Sequence, residues 1–113
     1  MAHSTTLILS DRDVAACLAQ LPMGQSVALI EEVFLAHAHG QVAMPPKVHL
    51  ALEPLGIEGW MNAMPAYVAP GATMGLKWIG GFNGNPARGL PYLMGIIVLA
   101  EAETGLPVAV MEG

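Results

Sequence analysis

Two lysines stand inside short apolar stretches that have the length of β-strands. Lys47 lies in MPPKVHLAL (44–52) and Lys77 in GLKWIG (75–80), in a chain of 113 residues with only four Lys and Arg. Because successive side chains of a strand point to opposite faces, each lysine is predicted to project away from its apolar neighbours. A lysine in such a position can act as a compact cation for an anionic ligand such as a carboxylate.

The sequence also permits a simpler interpretation of both lysines. A lysine on a one-sided sheet can lay its methylene stem along the strands and keep its ammonium group in water. Spacing alone favours this second interpretation. Alternation places His49 on the same predicted face as Lys47, and it is ambiguous in the same way, because a single histidine in a strand is more often structural than catalytic.

No metal site is predicted. His37 and His39 lie two positions apart at the end of a predicted helix, so they do not share a face. No carboxylate stands at a spacing that would complete a set of ligands. The two histidines are better placed to interact with the negative end of the helix dipole.

The segment GGFNGNPARG (80–89) is similar in composition to a phosphate-binding loop, but the match is weak. A dinucleotide-binding fingerprint needs a strand, then the glycines, then a helix whose N-terminus meets the phosphate. Here Pro86 and Pro91 follow and the next element is predicted to be a strand, so a structural loop is favoured. Three methionines near the two tryptophans can line a pocket, although core packing is their commoner use. They are Met61, Met64 and Met74.

The composition excludes several classes of function. The net charge is −5, and no cluster of Lys and Arg is present to contact nucleic-acid phosphates. No apolar run reaches the roughly 18–20 residues of a membrane span, and the first ten residues lack the basic start of a signal peptide. The single cysteine, Cys17, gives no disulfide framework, so a reducing cytoplasm is expected. Hydrophobic residues reach 54%, which predicts either an unusually large buried fraction or apolar surface left for a partner.

The pattern of the first forty residues predicts a short strand and two helices. The strand is TTLILS (5–10), and Ser10 has the position of an N-cap with acidic residues after it. The second helix is expected from about Gln25 to His39 and ends at Gly40. The apolar face of the first helix is predicted at Val14, Cys17, Leu18 and Leu21. The buried stripe of the second helix is predicted at Val27, Ile30, Phe34 and Ala38.

After residue 40, glycine and proline become frequent and the apolar runs shorten to strand length. The predicted strands are Lys47–Leu52, Gly59–Tyr67, Gly75–Phe82, Gly95–Glu101 and Pro107–Glu112. The turn signal ETGLP (103–107) predicts a hairpin of the last two, and the continuously apolar IIVLA (96–100) predicts a central strand covered on both faces. This order indicates an α+β fold of one domain, residues 1–113. Its N-terminal helices pack on a largely antiparallel, mixed sheet of about five to six strands.

The motifs of the chain resemble those of the ornithine cyclodeaminase/mu-crystallin family. They are PPKVHL, MPAY, GLKWIGGFNGNPARGLP and GIIVLAEAETGLPVAVMEG, preceded by LILSDRDV and IEEVFLAHAHG, and they cover essentially the whole chain. The resemblance implies an N-terminal α+β domain that binds the substrate and builds a homodimer, followed in the family by a Rossmann domain for NAD(P). It implies hydride transfer at the α-carbon of an amino or imino acid, as in ornithine cyclodeamination, ketimine or pyrroline-carboxylate reduction and alanine dehydrogenation.

The resemblance assigns roles to three residues. It implies that Lys77, in the G-x-K strand of the family, holds the substrate carboxylate, that Lys47 also contacts the substrate, and that Met64 lines the pocket. The chain departs from the family at two of its positions. Lys47 stands where arginine is common, which replaces a planar bidentate fork by a point charge. Tyr92 stands where threonine is usual, so its ring narrows the pocket or alters cofactor contact, and Tyr92 and His49 are further pocket candidates.

The resemblance also implies residues that the 113-residue sequence does not contain. These are the family's T-x-x-R-T-A-A helix, the Rossmann glycines and the catalytic Asp. The sequence therefore supplies no catalytic residue and no NAD(P)-binding residue of the family, and the chain alone is expected to be inactive. We expect a truncated N-terminal domain, with apolar surface that faces a missing domain and a dimer partner. The alternative is a stand-alone, non-enzymatic oligomeric module that kept the fold and lost the chemistry.

Overall fold

The computed structural model describes residues 5–113, which form two helices and one mixed sheet of seven strands. The helices are α1 (Asp11–Ala19) and α2 (Met23–Ala38). The strands are β1 (Leu7–Leu9), β2 (Val42–Ala43), β3 (Val48–Ala51), β4 (Gly59–Val68), β5 (Thr73–Phe82), β6 (Leu93–Glu101) and β7 (Pro107–Glu112). The predicted α+β fold is confirmed. The one strand that the sequence does not signal is β2, because two residues are too few to show alternation.

The sheet has the strand order β1-β7-β6-β5-β4-β2, and β3 also pairs with β4. The β1–β7 pair is parallel and the other pairs are antiparallel. β4 and β5 pair without a shift from Gly59 opposite Phe82 to Val68 opposite Thr73. β6 and β7 form the predicted hairpin. The unshifted register of β4 and β5 fixes which of their side chains share a face, since a slip of one residue would exchange the faces, and the β6–β7 register shifts between Leu99 and Ala100.

The register divides the sheet into two faces of different chemistry. The face that carries Met64, Lys77 and Ile97 in one row is here called the lysine face. The opposite face carries mainly exposed apolar side chains and is here called the apolar face. It is defined by Ile8, Val48, Leu50, Trp78, Met94 and Ile96.

The apolar face is open to solvent. The exposed fraction is 66% at Val48, 39% at Trp78 and 42% at Ile96. The total accessible surface is 8355 Å², whereas a compact domain of 11.8 kDa exposes about 5,900 Å². The radius of gyration is 16.5 Å, against about 13 Å for a compact domain of this length. The described chain therefore lacks a layer that would cover one side of its sheet.

The predicted burial of the apolar stripe of α2 is wrong. Val27 and Ile30 are 54% and 55% exposed, Phe34 is 72% exposed, and the buried residue of α2 is Ala36. In α1, Leu18 is 61% exposed. The periodicity correctly indicates helices with an apolar side, but the surface against which that side would pack is not provided by residues 5–113.

The predicted caps of the helices are present. Ser10 is the N-cap of α1 and forms a capping box with Asp13. The Asp13 N–H donates to Ser10 Oγ at 3.3 Å, and the Ser10 N–H donates to Asp13 Oδ2 at 2.9 Å. At the end of α2, Gly40 has a φ of 71°, the left-handed conformation that the position after a helix favours. Hydrogen bonds from the backbone and side chain of Ser10 lower the pKa of the Asp13 carboxyl from its ordinary value.

The capping box predicts a pH-dependent stability of α1. A carboxyl whose pKa is lower in the folded state stabilises that state above its unfolded pKa, and the effect is lost as pH falls through the folded value. Asp13→Asn should therefore lower the urea midpoint of helical circular dichroism at pH 7, and the difference from wild type should shrink as pH falls through the lowered pKa of Asp13. Asp11→Asn removes the same charge outside the box and is the control. An equal, pH-independent effect of the two substitutions would contradict this prediction.

Candidate functional site

The sheet register brings Lys47, Met64 and Lys77 into one row. Met64 of β4 is directly opposite Lys77 of β5. Lys47 directly precedes β3. When the Val48–Ala63 pairing is extended by one residue, Lys47 lies opposite Met64, on the side of β4 that faces away from β5. Directly opposite residues project to the same face, so the three side chains are neighbours on the lysine face. They line one cavity of about 520 Å³ together with Met44, Pro45, Pro46, Pro65 and Ala66.

The wall of this cavity is positively charged. No Asp or Glu belongs to it among the described residues. Lys77 is half-buried and lies in register between Met64 and Ile97, whereas Lys47 is exposed. Neighbouring strands are about 4.8 Å apart, so the backbones of the two lysines, separated by β4, are about 10 Å apart. Two flexible four-carbon stems can bring both ammonium groups to one compact anion above Met64.

His49 and Asn62 form the next row of the lysine face. They are opposite each other in β3 and β4, and His49 Nδ1 lies 2.7 Å from Asn62 Oδ1. Asn62 is only 6% exposed, so the imidazole satisfies a buried amide oxygen. This contact supports the structural interpretation of His49. Sequence reasoning missed Asn62, for which the signal was a polar amide in the interior of the apolar strand GWMNAMPAY.

His49 and Tyr92 line a second cavity on the lysine face rather than the lysine cavity. Its volume is about 300 Å³. Its wall is formed by His49, Ala51, Glu53, Gly59, Trp60, Gly81, Asn83 and Tyr92. Trp60 Nε1 donates a hydrogen bond to the Tyr92 hydroxyl oxygen at 3.3 Å. The structure thus places the three lysine-row residues in one cavity and the two weaker candidates in another.

The sequence profile of the ornithine cyclodeaminase/mu-crystallin family matches residues 6–113. The chain belongs to this family. The match covers nearly every residue that the structure describes, and it confirms the resemblance inferred from the motifs.

The relatives of the chain include dehydrogenases and reductases of amino and imino acids. Alanine dehydrogenase of Archaeoglobus fulgidus is 40% identical over 107 residues, which are 95% of this chain and 30% of that protein. A solved archaeal alanine dehydrogenase dimer with bound NAD has a TM-score of 0.82 at 39% identity, over 95% of this chain and 31% of that chain. Thermococcus litoralis Δ1-pyrroline-2-carboxylate reductase, solved with NADH and L-proline, has a TM-score of 0.83 at 28% identity, over 96% of this chain and 32% of that chain. The chain therefore spans less than a third of the length of these relatives and matches their N-terminal part.

Family relatives bind NAD or NADH, but segment 80–89 does not fit a dinucleotide. β5 leads into a single 3₁₀ turn at Pro86–Arg88, and strand β6 follows instead of a helix. Asn85 is 6% exposed, and its side-chain Nδ2 donates a hydrogen bond to the Pro91 carbonyl oxygen at 3.0 Å. The backbone carbonyl oxygen of Asn85 accepts a hydrogen bond from the Leu90 N–H. These hydrogen bonds organise a structural loop that lacks the helix of a dinucleotide-binding fingerprint.

Other site chemistries find no support in residues 5–113. No group of three or more His, Cys, Asp or Glu in this range is placed to hold a metal ion, and Cys17 is exposed. No single described helix has the length and apolar composition of a membrane span. Helices α1 and α2 together have that length and composition, but they form a pair bent by 99°. The five candidate residues named from the sequence line the two cavities of the lysine face.

Proposed function

We propose that the chain is the substrate-binding and dimerisation part of an NAD(P)-dependent ornithine cyclodeaminase or ketimine reductase-like enzyme of the cytoplasm. The enzyme would act at the α-carbon of an amino or imino acid. The row Lys47–Met64–Lys77 is the observation that carries this proposal. Its two ammonium groups share a cavity whose described wall contains no acid. Such a wall suits the carboxylate that amino, imino and keto acids have in common.

Each residue of the row has a distinct role in this proposal. Lys77 is the principal anchor, because it is half-buried between apolar neighbours and a carboxylate can replace water around its ammonium group. Lys47 is exposed and adds a second point charge without the planar fork of an arginine. Met64 forms the apolar floor between them. None of the three transfers a proton or a hydride, and those steps belong to a further part of the enzyme.

A homodimer is the second part of the proposal. The chain exposes about 2,400 Å² more than a compact domain of its mass, and its exposed apolar side chains include the six that define the apolar face. Two such sheets can pack face to face about 10 Å apart and remove these side chains from water. The solved archaeal alanine dehydrogenase is a dimer, which supports a dimeric assembly of this chain.

Pyruvate binding to the 113-residue chain tests the carboxylate site. Lys77→Met keeps most of the apolar stem and removes the charge, so it should weaken pyruvate binding about tenfold, measured by NMR titration. Lys47→Met should weaken it about threefold, because its exposed charge is better screened. Arg88→Gln is the matched control, because it removes the same charge at a different cavity. Pyruvate binding that is unchanged in Lys77→Met, or equally weakened in Arg88→Gln, would refute the site.

The alternative is a stand-alone oligomeric module without enzymatic function. The apolar face is the one observation that supports it, and the first proposal accounts for that face as well. It predicts a stable dimer that binds no small carboxylate. The pyruvate titration, performed on chain of known oligomeric state, therefore separates the two proposals.

A further inference from the structure

We propose that the second cavity of the lysine face binds the primary ammonium group of an organic ligand. This site goes beyond the carboxylate site and rests on different residues, chiefly Glu53, Trp60 and Tyr92. Its row, Ala51 opposite Trp60, lies four residues along the strands from the lysine row. At about 3.3 Å per residue the two cavities are about 13 Å apart.

An aromatic wall is the first observation. The ring centroids of His49 and Trp60 are 6.2 Å apart, with their planes at 35°. Trp60 lies opposite Gly81, where a Cβ atom would come within 2.8 Å of two indole carbons, so the indole fills the space above the glycine. Its N–H is held by the Tyr92 hydroxyl. The indole is therefore fixed before any ligand arrives, and tryptophan is the side chain whose ring face attracts cations most strongly.

The polar groups of the wall are the second observation. Glu53 contributes a carboxylate, and no Lys or Arg belongs to the wall among the described residues. Because Asn62 Oδ1 accepts from His49 Nδ1, the neutral imidazole has an acceptor at Nε2. The Tyr92 oxygen accepts the indole N–H and keeps a second lone pair. A primary ammonium has three donors and no acceptor, so it matches this wall, whereas a carboxylate would face Glu53.

Butylammonium is the probe for this site, and the indole N–H resonances of the chain are the readout. Titration should shift the Trp60 indole signal to saturation. Trp78, on the apolar face, should stay unchanged and serves as the internal reference. The neutral alcohol 1-butanol should give no saturable shift. An equal response to 1-butanol would show an apolar pocket without cation recognition and would overturn the proposal on wild-type protein alone.

The charge requirement is tested by a matched pair of substitutions. Glu53→Gln should weaken butylammonium binding about fivefold while both indole signals stay dispersed. Glu58→Gln removes the same charge beside a different cavity and should leave the affinity unchanged within about twofold. Lys77→Met should also leave it unchanged, which separates this site from the carboxylate site. If Glu53→Gln and Glu58→Gln weakened butylammonium binding equally, the loss would follow from the net charge of the protein, and the assignment of an ammonium site to the second cavity would be refuted.

Discussion

Ile96→Lys is expected to raise the dissociation constant of the homodimer by about three orders of magnitude. Ile96 lies in β6, in the interior of the sheet, and 42% of its side chain is exposed on the apolar face. In a face-to-face dimer the introduced ammonium and the Glu112 carboxylate opposite it would both lose their water, a cost of several kcal/mol per charge that their mutual attraction offsets only in part. Twofold symmetry places the substitution twice in the same interface.

The same substitution should spare the fold of the single chain. Ile96 is opposite Glu112 in the β6–β7 pair, so the introduced lysine meets an opposite charge on a solvated face. Sedimentation velocity over a range of concentrations gives the dissociation constant, and circular dichroism checks the fold. Leu55→Lys is the control, because Leu55 is 76% exposed in a 3₁₀ turn away from the apolar face. A dimer that survives Ile96→Lys, or a wild-type chain that is monomeric throughout, would contradict the proposed interface.

The excess surface explains why this effect should be large. An excess of about 2,400 Å² per chain exceeds the roughly 800 Å² that each partner contributes to a standard-sized interface. The apolar face alone need not account for all of it, since α2 also exposes apolar side chains such as Phe34. Obligate interfaces are more hydrophobic than transient ones, which fits a face made of Val48, Trp78 and Ile96.

The strands and the lysine face could be predicted because period-two alternation is a local property. Alternation within each strand shows that Lys47 and Lys77 stand opposite to their apolar neighbours. It does not show that they share a face, since that depends on the register of β3 and β5 against β4. The same register creates the contact between His49 and Asn62 and the contact between Trp60 and Gly81, which link residues more than ten positions apart. No pattern within a single strand contains that information.

Burial was harder to predict than secondary structure. The stripe of α2 and the continuously apolar segment 96–100 both predict surfaces that must be covered, and the periodicity cannot say by what. β6 is an interior strand as expected, yet Ile96 remains exposed on one side. Such a stripe is typical of a surface that packs against another layer, and residues 5–113 leave it exposed to solvent. An apolar stripe therefore identifies a contact surface even where the described chain leaves it exposed.

Gly95→Ala is expected to destabilise the fold by about 3 kcal/mol, near the upper end of the usual cost of overpacking. Gly95 of β6 is opposite Ile79 of β5, in the middle of the sheet. A Cβ atom at this position would come within 2.5 Å of the Trp78 carbonyl oxygen and 3.1 Å of Ile79 Cα. Both are backbone atoms, so no side-chain rotation can relieve the contact. β5 and β6 would have to separate and lose ladder hydrogen bonds.

The consequence should extend to the lysine row, because Lys77 lies two residues from Ile79 on the same strand face. A shift of β5 would move its ammonium away from Met64 and weaken pyruvate binding together with stability. Urea unfolding at one fixed chain concentration measures the stability change, since dimerisation makes the midpoint depend on concentration. Gly84→Ala is the control, because nothing lies within 4 Å of a Cβ atom there and its cost should stay within about 0.5 kcal/mol. If Gly95→Ala unfolded at the wild-type midpoint, the close approach of the two central strands, and with it the register that aligns the lysine row, would be wrong.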